Sequence, residues 1–151
     1  MTNLSQSLAK KYLIWIIEDN AMYAKMLSEH LQTSLIADAL METVDVITFP
    51  YAEICENRLN LDPARPDFII VDYFLDSKYK NTKDGAAFVR KIKKDYPEIK
   101  LIMLSSQNDV QLAVDLSDEG ICDYIVKGKE SYKRVGDIIA SNLKTENHNG
   151  M

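Results

Sequence analysis

LIWIIEDN, residues 13–20, is the stretch that decides the fold. Leu13 to Ile17 is an unbroken apolar run, with no polar residue alternating through it. A strand with one wet face alternates, whereas an unbroken run suits a strand covered on both faces. The run stops at Glu18, Asp19 and Asn20. Asn20 can cap a helix, and Tyr23, Met26, Leu27 and Leu31 behind it form a stripe at helical spacing. A covered strand leading through charge into a helix is the opening of a β-α unit.

The same order repeats along the chain. Val44 to Phe49 is strand-like, Pro50 breaks it, and Tyr51 to Leu59 reads as a short helix. Asp67 to Val71 (DFIIV) is a third buried strand, with Pro66 before it. A loop rich in Lys, Asn and Asp runs to Gly85, and Ala86 to Lys94 is helical. Lys100 to Leu104 is a fourth strand, and Asp109 to Glu119 a helix that stops at Gly120. Tyr124 to Val126 belongs to a fifth strand. Tyr132, Val135, Ile138, Ile139 and Asn142/Leu143 give the spacing of a closing amphipathic helix. Five β-α units predict an α/β fold: a doubly wound parallel five-stranded sheet, helices on both faces, right-handed crossovers. One domain over 11–143 is expected, with a flexible leader at 1–10 and a flexible tail at 144–151.

Composition excludes several classes of protein. Apolar residues make up 46% and charged residues 27%, as in ordinary soluble domains. The net charge of -5 argues against a general nucleic-acid or anionic-membrane binder. Cys55 and Cys122 lie far apart, so reduced thiols are expected rather than a disulfide framework. No apolar run approaches the roughly 20 residues of a membrane span, and Met1 to Lys10 has no signal-peptide core. A cytoplasmic protein is expected.

In sheets of this kind functional groups collect at the carboxyl ends of the strands. Glu18, Asp19 and Asn20 follow the first strand, Asp72 the third, Ser105 and Ser106 the fourth, and Lys127 the fifth. Each has an ordinary explanation alone. Asp72 could be a turn residue or helix cap, the acidic pair could charge a helix N-terminus, Lys127 could be a solvated surface lysine, and Ser105 a turn hydroxyl. Their coincidence on one edge instead suits phosphoryl transfer. Carboxylates suit Mg²⁺, Asp72 supplies a nucleophile for an acyl phosphate, and Lys127 and Ser105 can hold phosphoryl oxygens. Positioning and electrostatics carry most of such catalysis.

The sequence resembles the response-regulator receiver family of two-component signalling from about Tyr12 to Leu143. The matching stretches are LIWIIEDN (13–20), DFIIVDYFL (67–75), DGAAFVRKIK (84–93), LIMLSS (101–106) and GICDYIVKG (120–128). The resemblance implies a flavodoxin-like strand order of 2-1-3-4-5. It implies Asp72 as phosphoacceptor, with Ser105 and Lys127 as the family's hydroxyl and lysine. It implies Mg²⁺, or Mn²⁺, held by Asp19, Asp72 and the main-chain carbonyl of Phe74, with Glu18 reaching it through water. Tyr124, three residues before Lys127, falls at the switch aromatic, coupled to Ser105. Phe74 and Gln107 fall where side chains flank the water that hydrolyses the acyl phosphate, and so modulate dephosphorylation. The implied partners are a histidine kinase or histidine phosphotransfer protein, and a downstream protein on the face of helix 4, strand 5 and helix 5. Direct nucleic-acid or membrane contact is not expected, and a homodimer stays open. The expected product is a phosphoprotein, not a turnover enzyme, with at most slow self-catalysed phosphorylation and dephosphorylation. Residues 144–151 are too few for an output domain, so a stand-alone receiver or relay is expected.

The sequence also departs from the family. Asp76 and Ser77 fill a region where Pro is frequent, DSKYKNTKD lengthens the loop between Asp72 and Gly85, and Gly128 stands where Pro often follows the lysine. Three readings compete with this one. An Asp-nucleophile phosphatase of the haloacid-dehalogenase type needs a second Asp two residues on; Phe74 is there, and Asp76 lies four away. A flavodoxin-like cofactor binder wants a neutral phosphate loop, which Glu18 and Asp19 would spoil. A receiver-like interaction module independent of phosphorylation is the remaining alternative.

Overall fold

A computed structural model describes residues 11–38, 43–72, 85–105, 110–120 and 123–149. The chain runs β1 (Lys11–Ile17), α1 (Ala21–Asp38), β2 (Thr43–Phe49), α2 (Ala52–Leu61), β3 (Phe68–Asp72), α3 (Gly85–Asp95), β4 (Lys100–Ser105), α4 (Val110–Asp118), β5 (Tyr124–Val126) and α5 (Ser131–Asn149). The strands pair in parallel in the order β2-β1-β3-β4-β5.

Successive strand side chains point to opposite faces, and here both faces are covered. Ile14 and Ile16 join Phe68, Ile70, Ile102, Leu104 and Ile125 in one core, against Leu27 and Leu31 of α1 and Val135 and Ile139 of α5. Trp15 and Ile17 join Ile69, Val71, Leu101 and Met103 in the other, against Leu59, Phe88, Ile92 and Leu116. That is why the central strands read as unbroken apolar runs. Fully burying one such aliphatic side chain contributes about 1.5–3 kcal/mol.

The helix boundaries follow local chemistry. The Tyr23 amide donates to Asn20 Oδ1 at 3.0 Å, the expected N-cap. Gly120, just past α4, takes φ +74°, a left-handed conformation suited to glycine after a helix. Two expectations need correction. Met26 is not part of the buried stripe of α1. Leu27, Leu31 and Leu35 are buried, and Met26, one residue from Leu27 and so turned about 100° around the helix, is exposed. The expected flexible tail is helical through Asn149. KTENHN carries no apolar stripe to reveal a helix, but it has no Gly or Pro to end one before Gly150.

Cys55 is a free, buried thiol, and burial pushes its pKa up, which leaves it unreactive. Among the described residues, no helix is long and apolar enough to cross a membrane. The leader at 1–10 and the long loop at 73–84 lie outside the described residues.

Candidate functional site

Strand register assembles the site. Ile17 pairs with Val71, which brings Glu18 level with Asp72, the last residue of β3. Asp72 pairs with Leu104, so Ser105 lies one step beyond it on β4. Ser105 pairs with Val126, and the Lys127 amide donates to the Ser105 carbonyl at 2.7 Å. The Glu18 amide donates to the Phe49 carbonyl at 3.0 Å, which anchors the other side of the edge. Five strands thus deliver their terminal residues to one place.

Little of this charge is in water. Glu18 is 4% exposed, Asp72 6% and Ser105 0%. Lys127 Nζ donates to Glu18 Oε1 at 2.7 Å and stands 3.6 Å from Asp72 Oδ2. The Asn20 amide donates to Glu18 Oε2 at 3.2 Å. Asp19 is exposed, at the mouth of the site.

The electrostatics are crowded. Burial, then the neighbouring Asp72, raise the Glu18 carboxyl above its ordinary range, against the opposing pull of Lys127. Burial alone would depress the Lys127 ammonium; its hydrogen bond to Glu18 and the charges of Asp72 and Glu18 outweigh this and hold it above the ordinary lysine range.

The donor set fits a hard divalent cation. One carboxylate oxygen from each of Glu18, Asp19 and Asp72 lies within 4.8 Å of the others. Mg²⁺ takes one or two carboxylates and keeps several waters, and exposed Asp19 leaves room for water. The Phe74 carbonyl, expected as a third ligand, lies outside the described residues, as do Ser106 and Gln107. An open cleft of about 540 Å³ runs from Glu18 and Asp19 between α1 and β2, past Lys25, Gln32 and Thr48.

The structure therefore brings together Glu18, Asp19, Asp72 and Lys127, with Ser105 on the adjoining strand end. Tyr124 is half-buried, pairs with Met103 two residues before Ser105, and packs on the core containing Trp15. One neighbour escaped the sequence reading. Tyr23 reads as a core stripe residue, yet Lys127 Nζ stands 4.4 Å from its ring centroid. Its hydroxyl meets Ser131 Oγ at 2.9 Å, and burial raises its pKa. The available signal was an aromatic in the first turn of the helix that leaves the acidic pair.

Comparison with known proteins agrees with this fold. Residues 14–134 match the response regulator receiver domain family. The response regulator VraR of Staphylococcus aureus is 32% identical over 82 residues, which are 54% of this chain and 36% of VraR. This chain thus matches only about a third of that relative's length. Among solved structures, the RcsB response regulator of Salmonella typhimurium, described in terms of DNA interaction, superposes with a TM-score of 0.73 at 18% identity. That superposition covers 89% of this chain and 61% of RcsB. The phosphorylated cyanobacterial phytochrome response regulator RcpA gives 0.66 at 22% identity, over 87% of this chain and 91% of its own.

Proposed function

This chain belongs to the response regulator receiver domain family, and on that premise we propose that it accepts a phosphoryl group on Asp72 from a histidine kinase or a histidine phosphotransfer protein. One observation carries the reading: a buried Asp72 lies 3.6 Å from the Lys127 ammonium and shares its edge with Glu18 and Asp19. A structural fold has no need to bury two acids beside one base, with a third acid at the mouth.

In the reaction, an Asp72 carboxylate oxygen attacks phosphorus. The bond from phosphorus to the donor's imidazole nitrogen, or to the oxygen of acetyl phosphate, breaks, and the leaving group keeps that electron pair. Asp72 becomes an acyl phosphate. Lys127 holds a phosphoryl oxygen by a charge-assisted hydrogen bond, and the Ser105 hydroxyl takes another. Asp19, Asp72 and the Phe74 carbonyl would hold Mg²⁺ or Mn²⁺, with Glu18 reaching it through water. The ion's contribution when bound is to neutralise charge between the anionic donor and the anionic carboxylate. Met22 and Met26, exposed on α1 beside the acidic pair, offer the donor protein an apolar surface.

Receiver domains are in general phosphoacceptors rather than turnover enzymes. Output then passes to a protein partner. Movement of Ser105 toward the phosphoryl group opens space for Tyr124, a local charge event with a wider readout. The α4–β5–α5 face carries exposed Val114 and Val126, apolar surface suited to a protein. The net charge of -5 favours a protein over direct nucleic-acid contact by this domain. The acyl phosphate should be long-lived, because apolar Phe74 cannot orient the hydrolytic water and Gln107 has no acid at 74 to work with.

The test is intact mass after incubation with acetyl phosphate and Mg²⁺. A gain of one phosphoryl group that is lost in Asp72→Asn, and lost with a chelator, supports the reading. Equal labelling of Asp72→Asn refutes the acceptor. No labelling of the wild type favours the phosphorylation-independent module.

A further inference from the structure

We propose that Tyr23 is a positioning residue that seats the Lys127 ammonium for the phosphoryl group, an inference that rests on the receiver chemistry above. Lys127 Nζ lies 4.4 Å from the Tyr23 ring centroid, within the range of a cation–π contact. The same nitrogen donates to Glu18 at 2.7 Å. When a phosphoryl group arrives on Asp72, Lys127 must redirect its hydrogen bonds toward new oxygens. Attraction to a ring face uses no particular N–H, so the ammonium stays seated while its hydrogen-bond partners change.

The seat is itself fixed from two sides. The Tyr23 amide is held by the Asn20 cap, which sets the start of α1 against the acidic pair. At the far end, Ser131 Oγ donates its one proton to the Gly128 carbonyl at 2.8 Å. The Tyr23 hydroxyl must therefore be the donor in its 2.9 Å bond to Ser131 Oγ. Gly128 follows Lys127 directly, so one tyrosine ties down both the lysine and the loop that carries it. Tyr132 backs the ring, with centroids 5.1 Å apart. A Leu or Met would fill the buried stripe of α1 equally well, but neither would give the ammonium a π face or reach Ser131 through a hydroxyl.

The experiment combines NMR of the Lys127 ε-methylene with acetyl phosphate labelling in the full chain. The methylene should be shifted upfield by the ring in the wild type and in Tyr23→Phe, and the shift should vanish in Tyr23→Leu. Labelling should slow roughly 5- to 30-fold in Tyr23→Leu, the range of a partly desolvated cation–π contact. Tyr23→Phe should keep most of the rate. Tyr23→Met gives a second ringless variant if Tyr23→Leu folds poorly. In a Lys127→Ala background, Tyr23→Leu should slow labelling no further, because its effect runs through the lysine. An unshifted Lys127 in the wild type overturns the proposal. So does wild-type labelling in both ringless variants, or an undiminished Tyr23→Leu effect without Lys127. A wild-type chain that takes up no phosphoryl group overturns the receiver chemistry instead, and the ring shift then decides the seat by itself.

Discussion

The carboxyl edge of the sheet and the helical exterior hold ion pairs at the same distance. Lys127–Glu18 at the edge and Arg90–Glu119, from α3 to the residue after α4, are both 2.7 Å apart. Their side-chain exposures differ, at 20% and 2% for the first pair and 45% and 42% for the second. The exterior pair gains about 0–1 kcal/mol in water. The edge pair must first offset several kcal/mol of desolvation for each ion. The balance of charge differs too. On the exterior, Lys133 meets Asp137 and Lys91 meets Glu56. At the edge, Glu18 and Asp72 share Lys127, and Asp19 adds a third carboxylate within 4.8 Å of theirs. Exterior charge keeps the surface wet, while on the proposed reading charge at the edge serves a reaction and costs stability until a ligand balances it.

The largest expected effect breaks the comparison at Asp72. Asp72→Asn should abolish phosphoryl uptake, while Asp137→Asn on the exterior should leave it at the wild-type rate, as read by intact mass. The next compares two lysines. Lys127→Ala should lower the labelling rate about 10²-fold or more, the loss typical of removing one preorganised electrostatic contact, whereas Lys133→Ala should not change it. A third prediction concerns lifetime. Phe74→Asn should speed loss of phosphate several-fold, followed by release of inorganic phosphate after donor removal, and trimming 77–82 should do less. The smallest effect is thermodynamic. Arg90→Ala removes an exposed pair and should change unfolding free energy by no more than about 1 kcal/mol in denaturant titration.

Much of this was legible in the sequence because it rests on short-range pattern. Ile14 and Ile16 serve one core and Trp15 and Ile17 the other, so LIWII announced a strand covered twice. Glu18, Asp72 and Lys127 were legible because parallel strands end together, so residues far apart in sequence meet on one edge. What escaped depends on where the far end of a side chain goes. Periodicity put Tyr23 on the inner face of α1 and could not show that its ring would meet Lys127 and its hydroxyl Ser131. Met26 misled for the opposite reason: an apolar residue near the stripe need not be buried. The helix through Asn149 escaped because a polar segment has no period to read, although its backbone can still hydrogen-bond.

Stored charge makes a thermodynamic demand that tests the account most directly. Glu18 has a folded pKa above its unfolded value, so the folded state takes up a proton there. Stability from this group is therefore greatest on the acid side and is lost as pH rises through the folded value. Once pH lies above that folded value, the penalty of crowding is in full force. The measurement is the unfolding free energy of the wild type and Asp72→Asn at neutral pH, in chelator and in millimolar Mg²⁺. Asp72→Asn should be more stable in chelator by roughly 0.5–2 kcal/mol, the usual gain of one stabilising substitution. Mg²⁺ should narrow the gap by stabilising the wild type more. An Asp72→Asn variant that is less stable in chelator, or a gap that Mg²⁺ leaves unchanged, would contradict this account.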